Sequence, residues 1–460
     1  MKGVRASVIV VGMVLLGIAR TASAQVPNAY RIEDLGSFGG HYLVGMAINA
    51  NGDVAGTGEM PDGTYHAFRW TRTGGLEDLG ANGGWFAQAF GINDRGDVVG
   101  VYMDEASNLH GFIAPRGGVM QDLLTYERPI QFAASITSDG RLAGSMAALG
   151  VSHGFRTLAD GSLHDLGSGD RRSNAADINE AGEVTGMEWH SESVYDPITA
   201  YRYSDAGGKV DLGTLGGSSS AGLAINNSGV VVGWASDAAS VGHAFRAQPG
   251  RPMEDLGMLG GAFPQSGAEA INDHGAIVGF TTSPSSWTAF VYTDETGMVD
   301  LNARIPGPAE GWRGLNNARA INNAGQIVVE YAVLGRIGTY LLTPASDTVA
   351  PTISSASATP DVLRPPDGRM VPVTLAVTAV DDVDPAPKCS VTGVIDSEGP
   401  ETGANPSVQI TGALTLNLQA SRLGTGNGRT YTIGVRCADT SGNTSTTSVA
   451  VTVPHDERRD

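Results

Sequence analysis

Ala224-Ile225-Asn226-Asn227-Ser228-Gly229-Val230-Val231-Val232-Gly233 is one copy of a pattern that runs through most of this 460-residue chain. An isoleucine is followed four residues later by a glycine at Ile48 and Gly52, Ile92 and Gly96, Ile136 and Gly140, Ile178 and Gly182, Ile225 and Gly229, Ile271 and Gly275, and Ile321 and Gly325. Successive isoleucines lie 42 to 50 residues apart. Asn-x-x-Gly between apolar positions is hairpin chemistry, because Asn tolerates turn geometry and Gly supplies the positive φ of a tight turn. Two residues beyond each glycine, Val54, Val98, Leu142, Val184, Val231, Ile277 and Ile327 open a second strand.

Two further elements keep step with the first. His-Ala-Phe or a variant begins at His66, His110, His153, Thr199, His243, Thr288 and Gly338, alternating large and small residues as a strand does. Asp-Leu, usually followed by Gly, begins at Asp34, Asp78, Asp122, Asp165, Asp211, Asp255 and Asp300. One period thus holds four short strands, the content of one propeller blade. Tyr30-Arg31-Ile32-Glu33-Asp34-Leu35-Gly36 is an outer strand with no repeat before it, and the last repeat, from Ile321 through Leu342, lacks one. The sequence therefore predicts an all-β chain. Residues 25–345 form a seven-bladed β-propeller of four-stranded blades, closed by the N-terminal strand, and closure protects the sheet edges.

The repeats also resemble a known family. Asp211-Leu212-Gly213-Thr214-Leu215-Gly216-Gly217, Ala224 to Gly229 and His243-Ala244-Phe245 are similar to the HAF-repeat family of bacterial extracellular proteins, over about residues 30–345. That resemblance implies export and a repeat fold, and it assigns no activity. The chain departs from the pattern at Ile136-Thr137, Thr199, Thr288 and Gly338, and Val329 stands where the other repeats have a strand glycine.

Residues 346–352 read as a linker, 353–454 as an Ig-like β-sandwich and 455–460 as a polar tail. Val371 to Val377 and Ser448 to Val453 alternate as strands do. Cys389 and Cys437, 48 residues apart, are the chain's two cysteines. In an exported protein such a pair is expected to form a disulfide, whereas a metal site would need more ligands. Ala438-Asp439-Thr440-Ser441-Gly442-Asn443 resembles hairpins of bacterial surface Ig-like and HYR-type domains. Asp381, Asp382, Asp384, Asp439 and Asn443 offer oxygen ligands of the kind calcium takes, although acidic loops are more often simply solvated. No other cofactor is expected.

Residues 1–24 read as a signal peptide: Lys2 and Arg5, an apolar run from Ala6 to Ala19, and Ala22-Ser23-Ala24 before Gln25. The run is too short to cross about 30 Å of hydrocarbon, so no membrane span is expected in the mature chain. Loss of Lys2, Arg5 and Arg20 would take the formal charge from −19 to −22. Nucleic acid is therefore an unexpected partner, because binding it depends on neutralising phosphates with Lys and Arg. The protein is expected outside the cytoplasm, secreted, at the cell surface or in the periplasm.

The repeated His and Asp residues are expected to build blades, since equivalent positions are spread around a ring. Asn-x-x-Gly turns superficially resemble the Asp-box hairpins of sialidase propellers, but the closing Trp is missing. Ligand-binding candidates are instead the side chains that break the repeat in loops at one end of the sheets. These are Tyr42, Trp85, Phe86, Tyr126, Arg128, Arg171, Arg172, Trp189, Trp287, Trp312 and Arg313. Trp, Tyr and Arg stack and anchor with little entropy lost, which suits a polysaccharide, a peptide or a surface protein. No catalytic residue is assigned. A secreted hydrolase or lyase would draw on Glu127, Glu188 or Glu192, and a non-catalytic envelope component is the third reading.

Overall fold

The computed structural model describes residues 26–455 except 28, 124–127, 149, 191–196, 261–263, 283–286, 306–313, 334, 346–348, 382–386, 400–406, 425–427 and 440–442. The chain divides into two compact units, Met1–Pro344 and Ala345–Asp460.

The first unit is a succession of antiparallel four-stranded sheets. Leu43–Ile48, Val54–Glu59, Tyr65–Thr71 and Gly75–Gly80 pair in that order. A single parallel bridge, Tyr65 to Phe86, joins this sheet to a second one spanning 86–122. Four more sheets with the same strand order span 130–165, 173–213, 216–255 and 266–300. In the seventh, Asn317–Ile321, Ile327–Val333 and Arg336–Pro344 supply three strands. Tyr30–Asp34 is the fourth, with Tyr30 opposite Pro344 and Asp34 opposite Tyr340.

The alternation of large and small residues sets how sheets stack. Phe68, Phe112, Phe155, Phe245 and Phe290, the aromatics of the His-Ala-Phe strands, are fully buried. Phe112 of the second sheet shares a core with Ala55 and Ala67 of the first, so the small face of one sheet receives the large face of the next. Each buried Phe contributes about 1.5–3 kcal/mol by leaving water.

Every first strand carries a bulge just before the repeated isoleucine. The register slips at Met46, Phe90, Ala134, Ala176, Leu223, Glu269 and Arg319, each an extra residue opposite the second strand. Bulges re-aim side chains and bend the strand. The strand glycine follows from the same close approach: a Cβ on Gly100 would lie 2.0 Å from the carbonyl oxygen of Gln88.

In the second unit, Thr352–Thr359, Met370–Val380, Thr415–Gln419 and Val408–Ile410 form one sheet, and Lys388–Asp396, Gly428–Ala438 and Thr444–Pro454 form another. Leu375, Leu416 and Leu418 of the first share a core with Tyr431, Ile433, Val451 and Val453 of the second. Cys389 and Cys437 are disulfide-bonded, with Cα atoms 4.0 Å apart. They sit directly opposite each other on neighbouring strands of one sheet, so the bond staples strand to strand and not sheet to sheet.

Candidate functional site

The antiparallel order puts the Asn-x-x-Gly hairpins of all the sheets at one end of the first unit and the loops between sheets at the other. At the hairpin end the asparagines do more than turn the chain. Asn49 accepts the backbone N–H of Asn51 and Asp53 at its Oδ1, and donates from Nδ2 to the carbonyl of Asn93 at 2.9 Å. Asn93 reaches Thr137, Asn179 reaches Asn226, Asn226 reaches Asn272, and Asn272 reaches Asn322 in the same way. Asn322 donates to the carbonyl of Asn49 at 3.0 Å. Thr137 has no amide to give. There Ser138 makes the link, donating its N–H and hydroxyl to the Glu180 carboxylate at 2.8 and 2.7 Å. These residues of all seven sheets surround an opening of about 280 Å³.

The repeated His and Asp form a second structural unit. Asp78 accepts the N–H of Gly80 at 2.7 Å and an imidazole N–H from His66 at 2.9 Å. The His153–Asp165 and His243–Asp255 pairs repeat that contact at 2.9 and 2.8 Å. Where histidine is missing, the Thr199 hydroxyl donates to Asp211, and the Tyr331 hydroxyl donates to Asp34. The histidine and threonine pairs tie the third strand of a sheet to the turn after its fourth, whereas Tyr331 makes the contact from the second strand.

At the loop end the predicted residues fall into separate groups. Tyr42 meets Tyr65 edge-on with centroids 5.7 Å apart, Tyr65 lies 6.3 Å from Phe86, and Phe86 lies 5.7 Å from Trp85. These four rings make a continuous string that ends on Trp85, 49% exposed. Tyr65 was not anticipated, because it lies within the His-Ala-Phe strand. The guanidinium of Arg172 lies over the Trp189 ring, 5.1 Å from its centroid. Trp287, 52% exposed, packs on Phe280 at 4.7 Å. Arg128 is drawn onto Asp165 at 2.6 Å. Tyr126, Trp312 and Arg313, and with them Glu127 and Glu192, lie outside the described residues.

Glu188 is paired. Lys209 contacts its carboxylate directly, the Ser168 hydroxyl donates at 3.1 Å, and Arg171 lies at 3.4 Å. Burial would raise its pKa, but Lys209, Ser168 and Arg171 outweigh it and hold the carboxyl below its ordinary value. A carboxylate kept ionised in this way is a poor general acid.

The structure adds a charged group that the sequence reading passed over. Arg319 donates to Glu330 at 2.6 Å and lies 3.5 Å from Glu269. Glu269 and Arg319 are both bulge residues on first strands, and Asn317 is directly opposite Glu330 in the register. Burial raises the Glu269 pKa, against the pull of Arg319 and a hydrogen bond from Asn317. Burial and then the Glu330 carboxylate raise that of the Tyr42 phenol, which brings the end of the aromatic string to this group. The signal was present in the repeats. The other bulge positions hold Met46, Phe90, Ala134, Ala176 and Leu223, so charge at Glu269 and Arg319 breaks the pattern.

Of the calcium candidates, Asn443 donates its N–H and its amide to the two carboxylate oxygens of Asp439 at 2.8 and 2.9 Å. Asp382 and Asp384 lie outside the described residues. Among the described residues no group of three His, Cys, Asp or Glu side chains is placed to hold a metal ion. Among them, too, no helix is long and apolar enough to cross a membrane.

Repeated four-stranded sheets whose last member is completed by the first strand define a β-propeller-like all-β protein. No protein-family model and no curated protein matches the chain. Among solved structures it is similar to TolB from Acinetobacter baumannii, at 12% identity over 54% of this chain and 62% of that one, with a TM-score of 0.38. It thus spans less than two thirds of that protein's length. It is similar also to a puromycin hydrolase, at 15% identity over 77% of this chain and 62% of that one, with a TM-score of 0.45. A gluconolactonase from Xanthomonas campestris matches at 11% identity over 69% of this chain and 90% of that one, with a TM-score of 0.34.

Proposed function

We propose that this chain is an exported binding protein of the HAF-repeat type. Its body is a seven-bladed propeller closed by the N-terminal strand, followed by an Ig-like sandwich as spacer or second contact. The pairing of Tyr30–Asp34 with Arg336–Pro344 and the Asn322–Asn49 hydrogen bond support closure. Two sheets sharing one core support the Ig-like reading. The leader-like N-terminus and the disulfide support a place outside the cytoplasm, because such bonds persist in oxidising compartments.

The loop end binds a polysaccharide, a peptide or a surface protein. The observation that carries this reading is Trp85, half exposed and backed by Phe86, Tyr65 and Tyr42. A rigid aromatic platform costs little entropy when a ligand stacks on it. The hydrolase or lyase reading loses support at Glu188, which Lys209 neutralises. The purely structural envelope reading has no use for an exposed aromatic platform.

Glycan and peptide arrays probed with the protein and with Trp85→Ala test the proposal. Ligands of the wild type should be lost or weakened about tenfold or more in the variant, the cost of a modest hot spot. Unchanged array signals in Trp85→Ala would remove the aromatic platform as the site.

A further inference from the structure

Resting on that reading of the loop end, we propose that Glu269, Glu330 and Asn317 receive the lysine or arginine side chain of a partner peptide. Trp85, Phe86, Tyr65 and Tyr42 then take its flanking apolar residues.

The charge count comes first. Arg319 lies between two carboxylates, Glu330 at 2.6 Å and Glu269 at 3.5 Å, so the group has one more carboxylate than cation. Both glutamates keep some side-chain exposure, 15% and 19%, so the group can be approached.

The second observation is independent of charge. Asn317 is only 8% exposed, and its Oδ1 is buried without a hydrogen-bond partner. A buried acceptor left unpaired costs about 1–3 kcal/mol, which a donor from a ligand would recover. Asn317 is directly opposite Glu330 in the register, and its amide acts to lower the Glu269 pKa, so the unmet acceptor belongs to the same cluster. An ammonium or guanidinium brings several N–H donors and one positive charge, and carboxylate plus amide oxygens have only acceptors to offer it.

The surroundings favour the same ligand. Tyr42 is close enough to Glu330 to feel its charge, and an aromatic face attracts a cation. From Tyr42 the string of rings runs outward to Trp85, a track for the residues beside the cationic one. The chain carries a formal charge of −19, with three lysines in all, so its field draws a basic partner and repels an acidic one. An acidic polysaccharide would meet that repulsion and find no free cation beside Glu269, since Arg319 is already paired.

The test uses the full mature protein and an array of peptides in which each Lys or Arg sequence is paired with its Gln-substituted twin. Wild-type protein should bind the basic member and lose about tenfold or more with the twin, a difference of about 1.4 kcal/mol. Glu269→Gln and Glu330→Gln, checked for an unchanged melting temperature, should each erase that discrimination, and added salt should weaken wild-type binding. If either variant melts early, salt dependence and the twin comparison on the wild type still decide the matter. Equal binding of both twins, or a preference for acidic peptides or glycans, overturns the proposal. Binding that Trp85→Ala abolishes but charge does not affect would sink only the cation site and leave the aromatic platform standing. No signal on either array would remove both.

Discussion

Asn322 donates its side-chain amide to the backbone carbonyl of Asn49 at 3.0 Å, across a sequence separation of 273 residues. The same atom type joins the other hairpins except at Thr137, where Ser138 donates to Glu180 instead, so one residue type performs two tasks. It shapes its own turn through Oδ1 and holds the next through Nδ2.

Asn322→Ala should therefore cost more than an ordinary turn substitution. It strips the turn N–H groups of Ala324 and Gln326 of an acceptor and removes one of two donors to the buried Asn49 carbonyl, which keeps the Gly52 N–H at 3.1 Å. Each hydrogen bond lost costs about 0.5–1.5 kcal/mol net, and three are lost together. The expected result in scanning calorimetry is a clear drop in the melting temperature of the first unit. A change within error would show that the link between the last and first hairpins carries no weight.

Asp177 gives the first unit a measurable pH dependence. Burial pushes its pKa up to about 6, against hydrogen bonds from the Ile225 N–H, the Ser135 hydroxyl and the Ile178 N–H. Because the folded value lies above the unfolded one, the protonated form favours the fold. That stability is present below about pH 4 and is lost as pH rises through about 6. Asp177→Asn cannot ionise, so its melting temperature relative to wild type should rise between pH 4 and pH 7. A difference that stays flat over that range contradicts the assignment.

Cutting the disulfide should affect one unit. Cys437 is fully buried and its bond to Cys389 closes a 48-residue separation, which by loop entropy stabilises the second unit by about 3–4 kcal/mol. Cys389→Ser with Cys437→Ser should lower the melting of Ala345–Asp460 and leave that of the first unit in place. Electrophoresis with and without reductant, after alkylation, should find no free thiol in the untreated protein.

Phe112→Ala should destabilise the first unit by about 3–5 kcal/mol, because the ring is fully buried against Ala55 and Ala67 of the neighbouring sheet. Val119→Ala, at a highly exposed site, should change melting little. Similar shifts for both would mean that the sheets do not stack as described.

Calcium at millimolar concentration tests the candidate ligands Asp381, Asp382, Asp384, Asp439 and Asn443: if these acidic loops are simply solvated, the second unit's melting temperature stays unchanged. An upward shift would show that the second unit binds the ion.

Much of this molecule was legible in order along the chain. Ile225, Gly229, Phe245 and Asp255 mark hairpin, strand and turn by local chemistry, and local chemistry recurs every 42 to 50 residues. The strand that completes the seventh sheet could be inferred because Tyr30 to Gly36 had no repeat before it and Ile321 to Leu342 lacked one after. The cysteine pair was equally plain from its isolation in the second unit.

Other features needed three dimensions. Nothing in Asn49 or Asn322 alone says that each amide crosses to another hairpin, because the contact exists only when distant turns are brought side by side. Arg128 looked like a ligand anchor and is held by Asp165, 37 residues on. Glu188 looked like a candidate acid and is neutralised by Lys209 from a strand of the same sheet two places away. Tyr65 joined Phe86 and Trp85 through the single bridge between two sheets, and Tyr42 through Glu59 of its own sheet. Glu269 and Arg319 came together because bulges turn out-of-pattern residues off the ladder on neighbouring first strands, and Glu330 meets them from the second strand of the seventh sheet. Periodicity fixes which strand a residue is on. Which charge meets which depends on how strands pair and sheets stack, since the partners lie 11 residues apart for Arg319 and Glu330, 21 for Glu188 and Lys209, and 50 for Arg319 and Glu269.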